Sequence, residues 1–128
     1  HLSIRRQRQM CIRDSYKSTI GKQWTNEELM AKGEAVYSVS CAGCHQSEGQ
    51  GIAGIFPSLI GSSIVTGPVE GHIGILINGV AGSAMQSFAD QLSEVDLAAV
   101  IHYKRNSWGN DMDDIVQPLD ILNYKQSQ

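Results

Sequence analysis

The segment CAGCHQSEGQG, Cys41 to Gly51, constrains this chain more than any other stretch. Two thiols stand three positions apart, an imidazole follows the second directly, and no second cluster of this kind occurs. A pair so close serves as a redox disulfide, as half of a zinc site, or as the two attachment points of a c-type haem. Each use makes its own demand on the surroundings. A thioredoxin-like pair follows a strand and opens a helix, whose macrodipole lowers a thiol pKa. Here a helical pattern precedes the pair and a Gly-rich loop follows it. A structural zinc site wants four ligands. Apart from His45 and the terminal histidine, only His72 and His102 remain, and neither has a cysteine beside it.

Cys-x-x-Cys-His by itself matches the haem attachment motif. Each thiol adds across one vinyl group of the porphyrin, and the two intervening residues, Ala42 and Gly43, let one turn of chain reach both vinyls. His45 is thereby delivered to one axial face of the iron. We therefore read Cys41, Cys44 and His45 as a site for covalent haem c, and keep a zinc or dithiol site without haem as the remote alternative. The second axial ligand has to come from elsewhere, a Met thioether or another His being the usual choices. Met85 lies in NGVAGSAMQSFADQ, a Gly- and Ala-rich loop with no helical stripe of its own. Its bland alternative is a gap filler beside the domain. His72 and His102 are rival ligands, but each falls in a helical pattern and reads more simply as a surface or helix-packing histidine.

With 128 residues, 41% of them hydrophobic, the chain suits one globular domain with one modest core. Aromatic content is only 6%, so a bound apolar cofactor would supply missing bulk. No apolar run approaches the roughly 20 residues needed to cross a bilayer, so this piece reads as soluble, with a membrane reached only through segments upstream of it. Charge is uneven along the chain. Residues 1–15, HLSIRRQRQMCIRDS, hold four Arg and one Asp and lack a secretory h-region. A disordered basic tail is one reading; but Arg5 to Ser15 resembles the in-frame translation of a sequencing adapter, a scar that leaves Cys11 without structural meaning. The remaining chain holds six basic and twelve acidic residues, or −6, which predicts no nucleic-acid partner. Residues 16–25 read as a linker, 26–108 as the domain, and 109–128, opening with GNDMDD, as an exposed acidic tail.

The local patterns predict an all-α fold. Thr25 as N-cap, with Glu28 placed for a capping box, predicts a helix from Asn26 to about Val39. PVEGHIGILING predicts a short helix opened by Pro68 and closed at Asn78 and Gly79. Ser93 caps the last predicted helix, with Asp96 in its first turn and Lys104 and Arg105 near its end, where the dipole favours them. GQGIAGIFPSLIGSS is too rich in Gly and Ser for regular structure.

With Gly33 and Tyr37 before Cys-x-x-Cys-His, Pro57 and Leu59 in FPSL, Met85 in MQSF and Tyr103 near the end, residues Glu27 to Trp108 resemble a class I mono-haem cytochrome c. The resemblance implies a class I cytochrome c fold, three to five helices wrapped round one covalent haem. It implies that the Pro57 carbonyl orients His45, that Leu59 presses on the haem, and that Gly33 lets the first and last helices cross. With His45 and Met85 both on the iron no coordination position stays open, so the domain would not be catalytic alone and would shuttle single electrons. WTNEELMAKGEAVYS, GIFPSLIGSSIVTGPVEGHI and YKRNSWGND narrow the likeness: they resemble the cytochrome c domain at the C-terminus of subunit II of bacterial caa-type cytochrome c oxidases. This implies a fragment without the subunit's membrane hairpin and copper-binding domain, part of a membrane complex on the outer (periplasmic) face of the bacterial inner membrane. Its partners would be a basic cytochrome c or other donor and the rest of the oxidase, whose dinuclear copper centre takes the electron. A free-standing soluble cytochrome c carrier is the alternative.

Overall fold

Thr25 opens the first helix through the expected reciprocal bonds, its hydroxyl accepting from the Glu28 N–H while the Glu28 carboxylate accepts from the Thr25 N–H. The structure, a computed structural model, describes residues 21–127. The suspected adapter segment 1–15 and the expected linker up to residue 20 lie outside the described residues. The helices among the described residues are α1 Asn26–Ser40, α2 Ala42–His45, α3 Val69–Asn78, α4 Glu94–Arg105 and α5 Pro118–Ser127. Among the described residues the only β pairing is an isolated bridge between Ile52 and Phe56, so the fold is all-α, as a class I cytochrome c is. None of these helices is long and apolar enough to cross a membrane.

The frame is the crossing of α1 and α4. A Cβ built on Gly33 would lie 2.2 Å from the Ala99 carbonyl oxygen and 2.6 Å from Tyr103 Cβ, so the two backbones meet where a side chain is missing. α4 runs through the core, with Leu97 to Ile101 all at 0% exposure, and its start is fixed by Ser93, whose hydroxyl accepts from the Asp96 N–H. At the far side of the crossing Tyr37, Tyr103 and Trp108 form an aromatic trio with ring centroids 5.0 to 5.7 Å apart. α3 begins after Pro68 and stops at Gly79, which takes φ 69°.

The C-terminal residues correct the sequence reading. Residues 109–128 were expected to form an exposed acidic tail, yet the chain after Gly109 is tied down and ends in α5. The Asn110 amide donates to the Leu59 and Lys104 carbonyls, and its oxygen accepts from the Gly61 N–H. Arg105 grips the Val65 and Gly67 carbonyls and pairs with Asp114. Val116, Pro118 and Ile121 are buried, and Gln117 exchanges two hydrogen bonds of 2.9 Å with the Trp24 backbone. The acidic GNDMDD run masks this apolar set, which finds its partners only in the folded chain. The folded unit therefore runs past Trp108 to Ser127.

His102 is a helix-packing residue and wholly buried, not a surface one. Its Nε2–H donates to Asn26 Oδ1 at 2.7 Å, and Nδ1 accepts from the Asn106 amide and the Val116 N–H. Burial holds its pKa below the usual histidine value, so the ring stays neutral.

Candidate functional site

Cys41 caps α1 and opens α2, and the N–H groups of Cys44 and His45 both return to its carbonyl, at 3.2 and 3.0 Å. The motif is thus a single helical turn. Three residues of helical advance put both thiols on one side. Both are free, Cys41 buried and Cys44 exposed, and burial pushes the Cys41 thiol pKa up. Gln46, at φ 69°, ends the turn, and its carbonyl accepts the Tyr37 hydroxyl. Burial pushes that phenol up to about 12, which keeps it a donor.

The segment that follows folds back on the motif. Gly51 donates to the His45 carbonyl and Leu59 to the Gly49 carbonyl, at 2.9 and 2.7 Å, so the chain returns with Pro57 beside His45. Gly51 takes φ 66°, and a Cβ there would sit 2.7 Å from the Pro57 carbonyl oxygen. That carbonyl lies 3.0 Å from His45 Nδ1. A carbonyl only accepts, so Nδ1 carries the proton and Nε2 keeps its lone pair for a ligand role. Burial lowers the His45 pKa, against the opposing effect of the Pro57 bond, and the neutral ring is the form that binds a metal.

Met85 arrives on the loop after α3. The Val80 N–H donates to the Met85 carbonyl and the Phe88 N–H to the Leu76 carbonyl, at 2.9 and 2.7 Å, which pins both ends of the loop to α3. Its side chain is half-buried and packs against the core.

All six residues singled out from sequence line one cavity of about 380 Å³: Cys41, Cys44, His45, Pro57, Leu59 and Met85. The rest of its wall is mostly apolar, with Val65, Leu76 and Phe88 among the buried contributors. His72, a rival ligand by sequence, and Lys104, read there only as a cation near a helix end, line it as well. His72 is 2% exposed and Lys104 3% exposed. The signal for both was helical spacing, since His72 precedes Leu76 by four positions and Lys104 follows Val100 by four, placing each on a buried face. Among the described residues no group of three or more His, Cys, Asp or Glu side chains is arranged to hold a metal ion. An apolar chamber with two free thiols, a proton-fixed imidazole and a thioether fits a covalently held porphyrin.

A helical fold gathered round such a chamber defines the class of c-type haem domains. Residues 28–103 match the family model described as Cytochrome C oxidase, cbb3-type, subunit III, and the chain belongs to this cytochrome c family, which brings covalent haem c and haem-mediated electron transfer. It is 37% identical over 94 residues to cytochrome c-552 of Thermus thermophilus, covering 62% of this chain and 70% of that protein. It is 30% identical over 99 residues to the cytochrome c subunit of a quinone alcohol dehydrogenase from Gluconobacter oxydans (strain 621H), covering 70% of this chain and 21% of that subunit. A third relative, the gluconate 2-dehydrogenase cytochrome c subunit of Pantoea cypripedii, is 27% identical over 116 residues, covering 82% of this chain and 26% of that subunit. The chain thus corresponds to most of a small cytochrome and to about a quarter or less of the dehydrogenase subunits.

Proposed function

We propose that the chain holds one haem c through thioethers from Cys41 and Cys44, ligates its iron with His45 and Met85, and passes single electrons between partners. The observation that carries this reading is the convergence of those four side chains on one apolar cavity. Bound there, the haem supplies a one-electron iron couple. Cys41 and Cys44 fix the macrocycle relative to α1, while Pro57 holds the His45 ring in the tautomer that presents Nε2. Met85 would supply a thioether to the iron, a ligand that favours the reduced state. Leu59, Val65, Leu76 and Phe88 exclude water from the site. With His45 and Met85 both holding the iron, the protein would leave no place for a substrate, and the domain would exchange electrons without making bonds.

The partner we infer is a cytochrome c oxidase, in which this domain is part of a caa-type subunit II on the outer face of the bacterial inner membrane and delivers electrons to the dinuclear copper centre. Supporting it are the likeness of WTNEELMAKGEAVYS and YKRNSWGND to that domain and a net −6 beyond residue 15, suited to a basic donor. Ile52 and Ile55, 40% and 69% exposed beside the Pro57 loop, offer an apolar contact patch inside that acidic field. A free-standing carrier is the second reading, favoured by the Thermus relative of comparable length. The reading frame upstream of Tyr16 separates them. A membrane hairpin and a copper-binding domain are expected there; a secretory signal directly upstream would contradict the oxidase reading and leave the free carrier.

A further inference from the structure

The haem chamber is not uniformly neutral. Lys104 enters it from α4 and His72 from α3, whereas no Asp or Glu lines it. Lys104 is 3% exposed, and no salt bridge among the described residues involves it. Arg105, the next residue and just as buried, is by contrast fully occupied by the Val65 and Gly67 carbonyls and the Asp114 carboxylate. His72 is 2% exposed, and its Nδ1 is buried without a hydrogen-bond partner. An ammonium enclosed without an anion and an imidazole nitrogen enclosed without a partner are both costly. Two such groups on one apolar chamber match an occupant that has an apolar body and anionic oxygens.

We propose that Lys104 and His72 form a carboxylate-binding pair that receives the propionate groups of the porphyrin, Lys104 as their counter-charge and His72 as a hydrogen-bond partner. This rests on the haem reading above, and it answers how an acidic chain neutralises the anionic side of its own cofactor. Both side chains open onto this one chamber, burial depresses the pKa of each, and the Lys104 charge bears on Cys41, His45 and His72 alike. A carboxylate placed between them would reverse both shifts. Because the ferrous site carries one positive charge fewer than the ferric site, a fixed cation in the chamber favours reduction.

The test uses the haem-loaded protein, with covalent haem first confirmed in each variant by its spectrum after denaturation. Midpoint potentials are measured at one pH and ionic strength. Redox-difference infrared spectra are recorded with the porphyrin carboxyls isotopically labelled through aminolevulinate. Lys104→Met is expected to lower the potential and shift the labelled carboxylate bands, while Lys104→Arg keeps the potential near that of the parent. His72→Leu is expected to shift the bands with a smaller change in potential. Should Lys104→Met fail to mature, Lys104→Gln reads the same loss of charge. Loaded charge-loss variants with the parent's potential and unshifted bands would overturn the proposal. A parent protein without covalent haem would instead bring down the haem reading on which it stands.

Discussion

Gly33→Ala tests the crossing of α1 and α4 that sets where Cys41, at the end of α1, meets the site. In a lone helix the change is favourable by about 1 kcal/mol. Here the new methyl would stand 2.2 Å from the Ala99 carbonyl oxygen and 2.6 Å from Tyr103 Cβ. Neither atom can swing away on a rotamer, because one is backbone and the other is fixed to it. Ordinary contact begins at 3.4 Å, so α1 has to withdraw from α4 by more than 1 Å or tilt across it. Overpacking of this kind costs about 1–3 kcal/mol, occasionally more. Withdrawal also re-exposes part of the buried apolar surface around Leu29 and Tyr37, at about 25 cal/mol per Å². After the propensity gain we expect a net loss of about 2 kcal/mol, or roughly 8–16 °C in Tm for a domain of this size. Thermal unfolding of the haem-loaded protein by circular dichroism measures it. Gly71→Ala in α3 is the control, since a Cβ there meets nothing within 4 Å, and it should be neutral or slightly stabilising. A Gly33→Ala protein melting at or above the parent temperature would refute the close crossing.

His102 should make the fold acid-sensitive. Burial lowers its folded pKa, whereas the unfolded chain takes up the proton at about 6.5, so stability present above that pH is lost as pH falls toward the folded value. Urea unfolding from about pH 7.5 down to about pH 5 should show the decline, and His102→Gln should flatten it; an unchanged slope would place the sensitivity elsewhere. The weak sulfur-to-iron absorption band of the oxidised protein should vanish in Met85→Ala and survive in His72→Ala, and the reverse result would reassign the ligand. Electron transfer from a basic cytochrome c, followed by stopped flow on a protein beginning at Tyr16, should slow as salt is added, because fields from the −6 charge are screened beyond roughly 10 Å at 0.1 M. A rate that stays flat or rises would assign docking to the apolar patch alone.

What could be read from the sequence was what short-range chemistry fixes. The Thr25 and Glu28 capping box, the Ser93 cap and the Gly79 stop all appear where the local pattern puts them, since each involves residues within a few positions of one another. The attachment motif was legible for the same reason, Met85 stood out as a thioether on a Gly- and Ala-rich loop, and the roles of Gly33, Pro57 and Leu59 followed from the likeness the motif opened. α5 was not legible, because its buried residues Pro118 and Ile121 are few and sit behind an acidic stretch whose anchor, Arg105, lies on another element. Lys104 and His72 escaped for a related reason. A lysine near a helix C-terminus is ordinarily favoured by the dipole and by solvent, and only the chamber beside α4 shows that this one points inward.

Covalent attachment is the measurement closest to the central claim. The chain is produced with a haem-attachment system in an oxidising compartment, denatured, and extracted with acidic organic solvent. Haem is predicted to stay with the polypeptide in the parent protein and to be held by at most one thioether in Cys44→Ala. Haem passing wholly into the organic layer from the parent protein would contradict the assignment of Cys41 and Cys44, and with it the electron-transfer site built on them.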